Sequence, residues 1–273
     1  MNILAVFSLL AVAAALPNRL IVPVKDAQGK NRYVAASSRI ISGQPAKVGE
    51  FPFQVHNIFS TSQGTSFCGG ALISSRWVLT AGHCVYGAFS FQITLGTIYS
   101  SGNDPKAVVR YTTRSIIHTG YDSFLLWNDV ALIDLKEVVT FTSLIQPVKL
   151  GSRTVGDSQL VVVSGWGKTS DATPSVSPTL NWVSLKTILN SACSAVYGLT
   201  VTANTLCCVG APHHSTCNGD SGGPLFEYDS TRNPFHVGVV SFVHKAGCAS
   251  GNPSGFSRTS SYIPWIQSHT GVL

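Results

Sequence analysis

The chain of 273 residues is short of charge. Asp, Glu, Lys and Arg make up 11% of it, with 18 basic residues against 12 acidic ones and a net charge of +6. Most of that surplus lies in residues 1–39, where Arg19, Lys25, Lys30, Arg32 and Arg39 face Asp26 alone; the rest is scattered without a basic run. Nothing here forms the electrostatic footprint of a nucleic-acid or membrane-surface binder, so neither partner is expected. Long hydrophobic runs are missing too. The longest, Ile3 to Ala15, is too short to span a bilayer. No cysteine precedes residue 68, and no Cys-x-x-Cys or spaced Cys/His pair suggests zinc, so no metal is expected. Asn252-Pro253-Ser254 fails as a glycosylation sequon because of its proline, and no other sequon occurs. Internal repeats and low-complexity tracts are also lacking.

What is present points to a folded, exported protein. Hydrophobic residues are 44% of the chain, too many for disorder. The segment MNILAVFSLLAVAAALP reads as a signal peptide over residues 1–15, cleaved after Ala15, although its first residues carry no Lys or Arg. Residues 16–39 are basic. Beyond them short runs such as FPFQVHNIF, RWVLTA, DVALIDL and LVVVSGWG recur at the spacing of an all-β sandwich or barrel. They read as two barrel-like halves. Only SSYIPWIQSHT has helical spacing, with Tyr262, Trp265 and Ile266 on one face. Seven cysteines in an oxidising compartment form bridges and leave one thiol over.

The stretch STCNGDSGGPL sets Asp220 and three glycines around Ser221 in a chain that uses few carboxylates. A serine hydroxyl is a poor nucleophile without a histidine to take its proton, and the histidine needs a partner to fix its tautomer. His83 in LTAGHC and Asp129 in NDVALIDL are the candidates. Asp129 sits at the lip of an apolar strand, where a carboxylate is costly unless paired. Taken singly, each motif fits an ordinary packed or turn residue. In this order and spacing, LTAGHC, NDVAL and CNGDSGGP resemble the chymotrypsin family of serine proteases, over residues 40–273.

The resemblance implies an all-β fold of two six-stranded antiparallel β-barrels, with the active site between them and a C-terminal helix. It implies that Ser221 attacks the scissile carbonyl, His83 is general base and acid, and Asp129 orients His83. The amides of Gly219 and Ser221 would form the oxyanion hole. Cleavage of a 16–39 propeptide after Arg39 would free an amine on Ile40 to pair with Asp220, in the catalytic domain 40–273. The implied bridges are Cys68–Cys84, Cys193–Cys207 and Cys217–Cys248, leaving Cys208 free, or Cys207 if Cys208 pairs instead. Ser241 resembles the serine that bonds the triad aspartate. Ser215 would floor the acyl-side pocket, with Val243 and Ser254 in its walls. A neutral floor disfavours Lys and Arg. Bulkier walls favour small to medium apolar side chains, unless a shift around HKAGCASGN restores a slot for Phe and Tyr. The loop after His83 lacks the spaced glutamates of calcium-binding members. No cofactor is implied; the partners are protein or peptide substrates, an activating trypsin-like protease and protein inhibitors of a monomeric enzyme. A non-catalytic binding homologue would have lost the serine or histidine, and a regulatory protease would carry an extra module before residue 40.

Overall fold

The computed structural model describes residues 21–25, 31–35, 43–172, 174–211 and 214–272. The expected signal peptide and the Arg39–Ile40 bond lie outside the described residues. The chain divides into two compact units, Met1–Ser37 and Ser38–Leu273. In the first, β1 (Ile21–Lys25) and β2 (Asn31–Ala35) pair as an antiparallel hairpin. Ile21, Val22 and Val24 in the first and Tyr33 and Val34 in the second are residues that suit extended backbone.

The second unit holds two antiparallel sheets. Its strands begin with β3 (Gln44–Pro45), β4 (Gln54–Thr61), β5 (Gly64–Leu72), β6 (Trp77–Thr80), β7 (Ala88–Leu95), β8 (Val108–Thr112), β9 (Ser115–Ile117) and β10 (Ala131–Asp134). The first sheet runs β8-β7-β4-β5-β6-β10-β9 and curls on itself. Then come β11 (Lys149–Leu150), β12 (Leu160–Gly165), β13 (Asn181–Ile188), β14 (Thr205–Val209), β15 (Pro224–Tyr228), β16 (Pro234–Phe242) and β17 (Ser254–Arg258). The path β16-β15-β12-β13-β14-β17 closes where β17 pairs back onto β16, making a six-stranded barrel, with β11 parallel at the edge of β16. Strand β13 shows why: Asn181, Val183, Leu185 and Thr187 are buried while alternate residues are not, the period of a sheet with one face on a core. Val161, Val163, Leu206, Leu225, Val237 and Phe256 complete that core.

Aromatic side chains join the sheets. Phe53, directly before β4, meets Phe226 of β15 edge-on at 5.1 Å between centroids, and Phe51 lies 5.3 Å from the same ring. A short helix α1 (Asn190–Tyr197) precedes β14. The terminal helix α2 (Thr259–Thr270) buries Tyr262 and Ile266 with Trp265 half-buried beside them, and ends at Gly271 in the left-handed conformation.

Candidate active site

His83 lies in a single 3-10 turn, Gly82–Cys84, directly after β6. The turn is pinned to β5 by the Cys68–Cys84 disulfide. Asp129 stands just before β10 and is fully buried. Its Oδ1 accepts the His83 backbone N–H at 2.8 Å, and its Oδ2 lies 2.8 Å from His83 Nδ1. The carboxylate therefore favours the tautomer protonated at Nδ1, which leaves Nε2 as a base. Burial disfavours the imidazolium, but the charge and hydrogen bond of Asp129 outweigh it, and the His83 pKa is raised above the ordinary value. A Cβ on Gly82 would stand 2.9 Å from the Tyr121 ring and 3.2 Å from Asp129 Oδ1. The glycine of LTAGHC is what lets the carboxylate approach.

Two further hydroxyls hold Asp129. Ser241 Oγ donates to Oδ2 at 2.5 Å, and Ser257 Oγ of β17 donates to the Asp129 carbonyl at 2.7 Å. Strand β16 slips register against β17 between Val240 and Phe242. Such a bulge re-aims one side chain, here the intervening Ser241.

Ser221 is on a tight loop before β15. Its carbonyl accepts the Gly69 N–H at 2.7 Å, and Gly222 donates to Val240 at 2.9 Å. A Cβ on Gly222 would lie 2.8 Å from the Gly69 carbonyl and 3.1 Å from the Cys84 sulfur. The loop is thus wedged against the same disulfide that carries His83. Ser221 stays partly open to solvent. Among the described residues, His83 Nε2 and Ser221 Oγ share no hydrogen bond, and such bonds are often long before substrate binds. Gly219 has φ +100°, and a Cβ there would meet Val176, Gly167 and Phe67 at 2.9–3.1 Å. Among the described residues, the amides of Gly219 and Ser221 have no acceptor.

Asp220 points the other way, into the protein. It is fully buried, and its carboxylate accepts N–H groups from Gly167 at 2.8 Å and Cys217 at 2.9 Å. Any Cβ on Gly165 or Gly167 would collide with that carboxylate, which explains the glycines of SGWG. Burial outweighs the two hydrogen bonds and pushes the carboxyl up to about 6. No cation faces it among the described residues; Arg39 and Ile40 are outside them.

Ser215 and Ser254, 39 residues apart in the chain, come together with hydroxyls 3.0 Å apart, and Thr216 Oγ1 donates to Ser254 Oγ at 3.0 Å. Val243 packs on the Cys217–Cys248 disulfide. The Phe242 ring occupies the space a Cβ on Gly255 would need.

The family model for trypsin matches residues 40–266. The chain belongs to the trypsin family. It is a serine endopeptidase with curated relatives among crustacean and insect proteases. Brachyurin of Leptuca pugilator is 39% identical over 76% of this chain and 88% of its own length. Collagenase of Hypoderma lineatum is 39% identical over 86% and 88%, and chymotrypsin of Phaedon cochleariae 34% over 98% and 96%. The solved structure of HL collagenase matches with a TM-score of 0.76 at 36% identity, covering 86% of this chain and all of that one.

In this trypsin-family chain the third disulfide joins Cys193 of α1 to Cys207 of β14, and Cys208 is the free, buried cysteine. Sequence reading passed over three contributors. Ser257 and Tyr121 lie outside the motifs, and Gly82 stands in LTAGHC only as a neighbour of His83. Only the asymmetry of small residues around the motifs could have pointed to Ser257 and Gly82.

Proposed function

We propose that Ser221 is the nucleophile of a peptide hydrolysis through an acyl-enzyme. His83 Nε2 takes the serine proton and passes it to the leaving amine, while Asp129 keeps the proton on Nδ1 and stabilises the imidazolium. The amides of Gly219 and Ser221 receive the oxyanion as it develops. One observation carries the reading: both oxygens of a fully buried Asp129 are taken by the backbone and ring of His83, beside the loop of Ser221. An acylating ester tests it. Protein cut after Arg39 should release one equivalent of leaving group in a burst, and Ser221→Ala none, while still binding a protein inhibitor. A retained burst removes Ser221 from the role.

The same reading makes the chain a secreted zymogen, exported on residues 1–15 and activated by loss of residues 16–39. The new Ile40 amine would enter the buried environment of Asp220, whose charge, among the described residues, has two amides to offset its desolvation. An apolar, non-basic preference on the acyl side is favoured by the pocket lining, where Ser215, Thr216 and Ser254 offer hydroxyls and no carboxylate. Its substrates would be proteins or peptides, in digestion outside the cell. Relatives named chymotrypsin and collagenase make a peptide panel together with native collagen the natural assay.

A further inference from the structure

We propose that Asp171 is a positioning residue that holds the rim of the acyl-side pocket; this rests on reading Ser215, Val243 and Ser254 as that pocket. Asp171 is exposed, in the loop that leaves β12. Its Oδ1 accepts the Cys248 N–H at 2.8 Å and its Oδ2 the Ala249 N–H at 3.0 Å, 77 and 78 residues away. Two amides on one carboxylate make a charge-assisted fork with a defined direction. The backbone is shaped for it. Gly247 has φ +108°, and a Cβ there would stand 2.7 Å from an Asp171 oxygen.

The amides that Asp171 holds begin the turn whose first residue, Cys248, is bridged to Cys217. Val243 and Ala249 both pack on that bridge. Displacing residues 248 and 249 therefore moves the support of a pocket wall. The hydrogen bonds that His244, Gly247 and Asn252 make around the rim are short-range, and a further long-range tie is Tyr197 of α1, whose hydroxyl donates to the Pro253 carbonyl and whose ring meets His244. The loop carrying Asp171 is itself anchored at both of its own ends to residues 218–220. Gly167 donates to Asp220, Lys168 donates to the Asn218 carbonyl at 2.9 Å, and Val176 abuts Gly219. Asp171 thus fixes the pocket rim to the loop that supports Asp220.

The test uses activated enzyme and two peptide amides differing only at the acyl residue. One carries the side chain the wild type prefers, the other glycine. Asp171→Ala is expected to lower kcat/KM for the preferred peptide about tenfold, mostly through KM, as misplacement of a binding wall does. The glycine peptide, which does not use the wall, should stay within about twofold. Asp171→Asn should fall between, because its amide oxygen retains one of the two bonds; it also serves if the alanine variant does not fold. Equal losses on both peptides, or no loss on either, overturn the inference. A wild type that does not distinguish the two peptides overturns the pocket reading, and the inference with it.

Discussion

Asp129 and Asp220 are both completely buried, yet their surroundings treat the charge differently. Around Asp129, donors converge from separate elements: the His83 backbone and ring, and Ser241 at the end of β16. The partner imidazole answers with a raised pKa. Around Asp220 there are two backbone amides and, among the described residues, no cation, and the carboxyl is pushed up to about 6. Amides alone do not repay the loss of water around a carboxylate. The first site is complete within residues 43–272. At the second, two amides are the partners found among the described residues, which fits the activation by a new amine proposed above.

The largest expected effect breaks the first site. Asp129→Asn leaves an amide where His83 needs an acceptor, and kcat should fall by about 10⁴, a magnitude carried over from other members of the family. The wild type should lose activity as pH falls through the raised His83 pKa, because the base must be neutral. With the Asp129 charge gone that acid limb should move to lower pH in a kcat/KM profile. An unmoved limb would separate His83 from Asp129.

Asp220→Asn, in protein cut after Arg39, attacks the second site. If the Ile40 amine needs that charge to set the loop, one oxyanion donor is misplaced and turnover should drop roughly 10²–10³-fold. Steady-state rates normalised to intact cut protein check this. Full activity would sink the activation mechanism.

The uncut chain, held by Arg39→Gln, offers a smaller effect with a definite sign. A carboxyl raised to about 6 favours the protonated folded state. Its contribution is present below the ordinary carboxyl pKa and is lost as pH rises through about 6, on the order of 3 kcal/mol at most. Urea unfolding at pH 4 to 7 should therefore show stability gained towards acid from this group. Asp220→Asn should remove that part of the slope. Identical slopes would mean that the charge is compensated before cleavage.

Smallest is Ser241→Ala, which deletes one hydrogen bond to Asp129 and leaves those from His83. About 1.5 kcal/mol, or roughly tenfold in kcat/KM, is expected for a bond to a charged group. A loss as large as that of Asp129→Asn would show that the bulge in β16, rather than His83, holds the carboxylate.

Much of the architecture was legible because it is local. The alternation in NWVSLKTI marks β13, and Tyr262 and Ile266 at helical spacing mark the buried face of α2. The hairpin of residues 21–35 was not anticipated, since Pro23 interrupts its first apolar run and Asn31 and Arg32 open the second strand, so no clean alternation can be read. The neighbours of the site were hidden for another reason. Ser257 lies 128 residues from the carbonyl it holds, and Asp171 lies 77 from the amide it caps. A serine in a strand and an aspartate in a polar loop look ordinary until the fold brings their partners.

By itself the sequence determined which residue types were available at the site: a serine among glycines, a histidine beside a cysteine, an aspartate on the lip of a strand. Propensity and periodicity act over a few residues, so these are readable without the fold. Tertiary structure decided what each carboxylate experiences. His83 and Asp129 are 46 residues apart, Gly167 and Asp220 are 53, and Ser241 and Asp129 are 112. Desolvation and hydrogen-bond direction depend on which surfaces exclude water together, and only closure of the barrel against the curled sheet sets that.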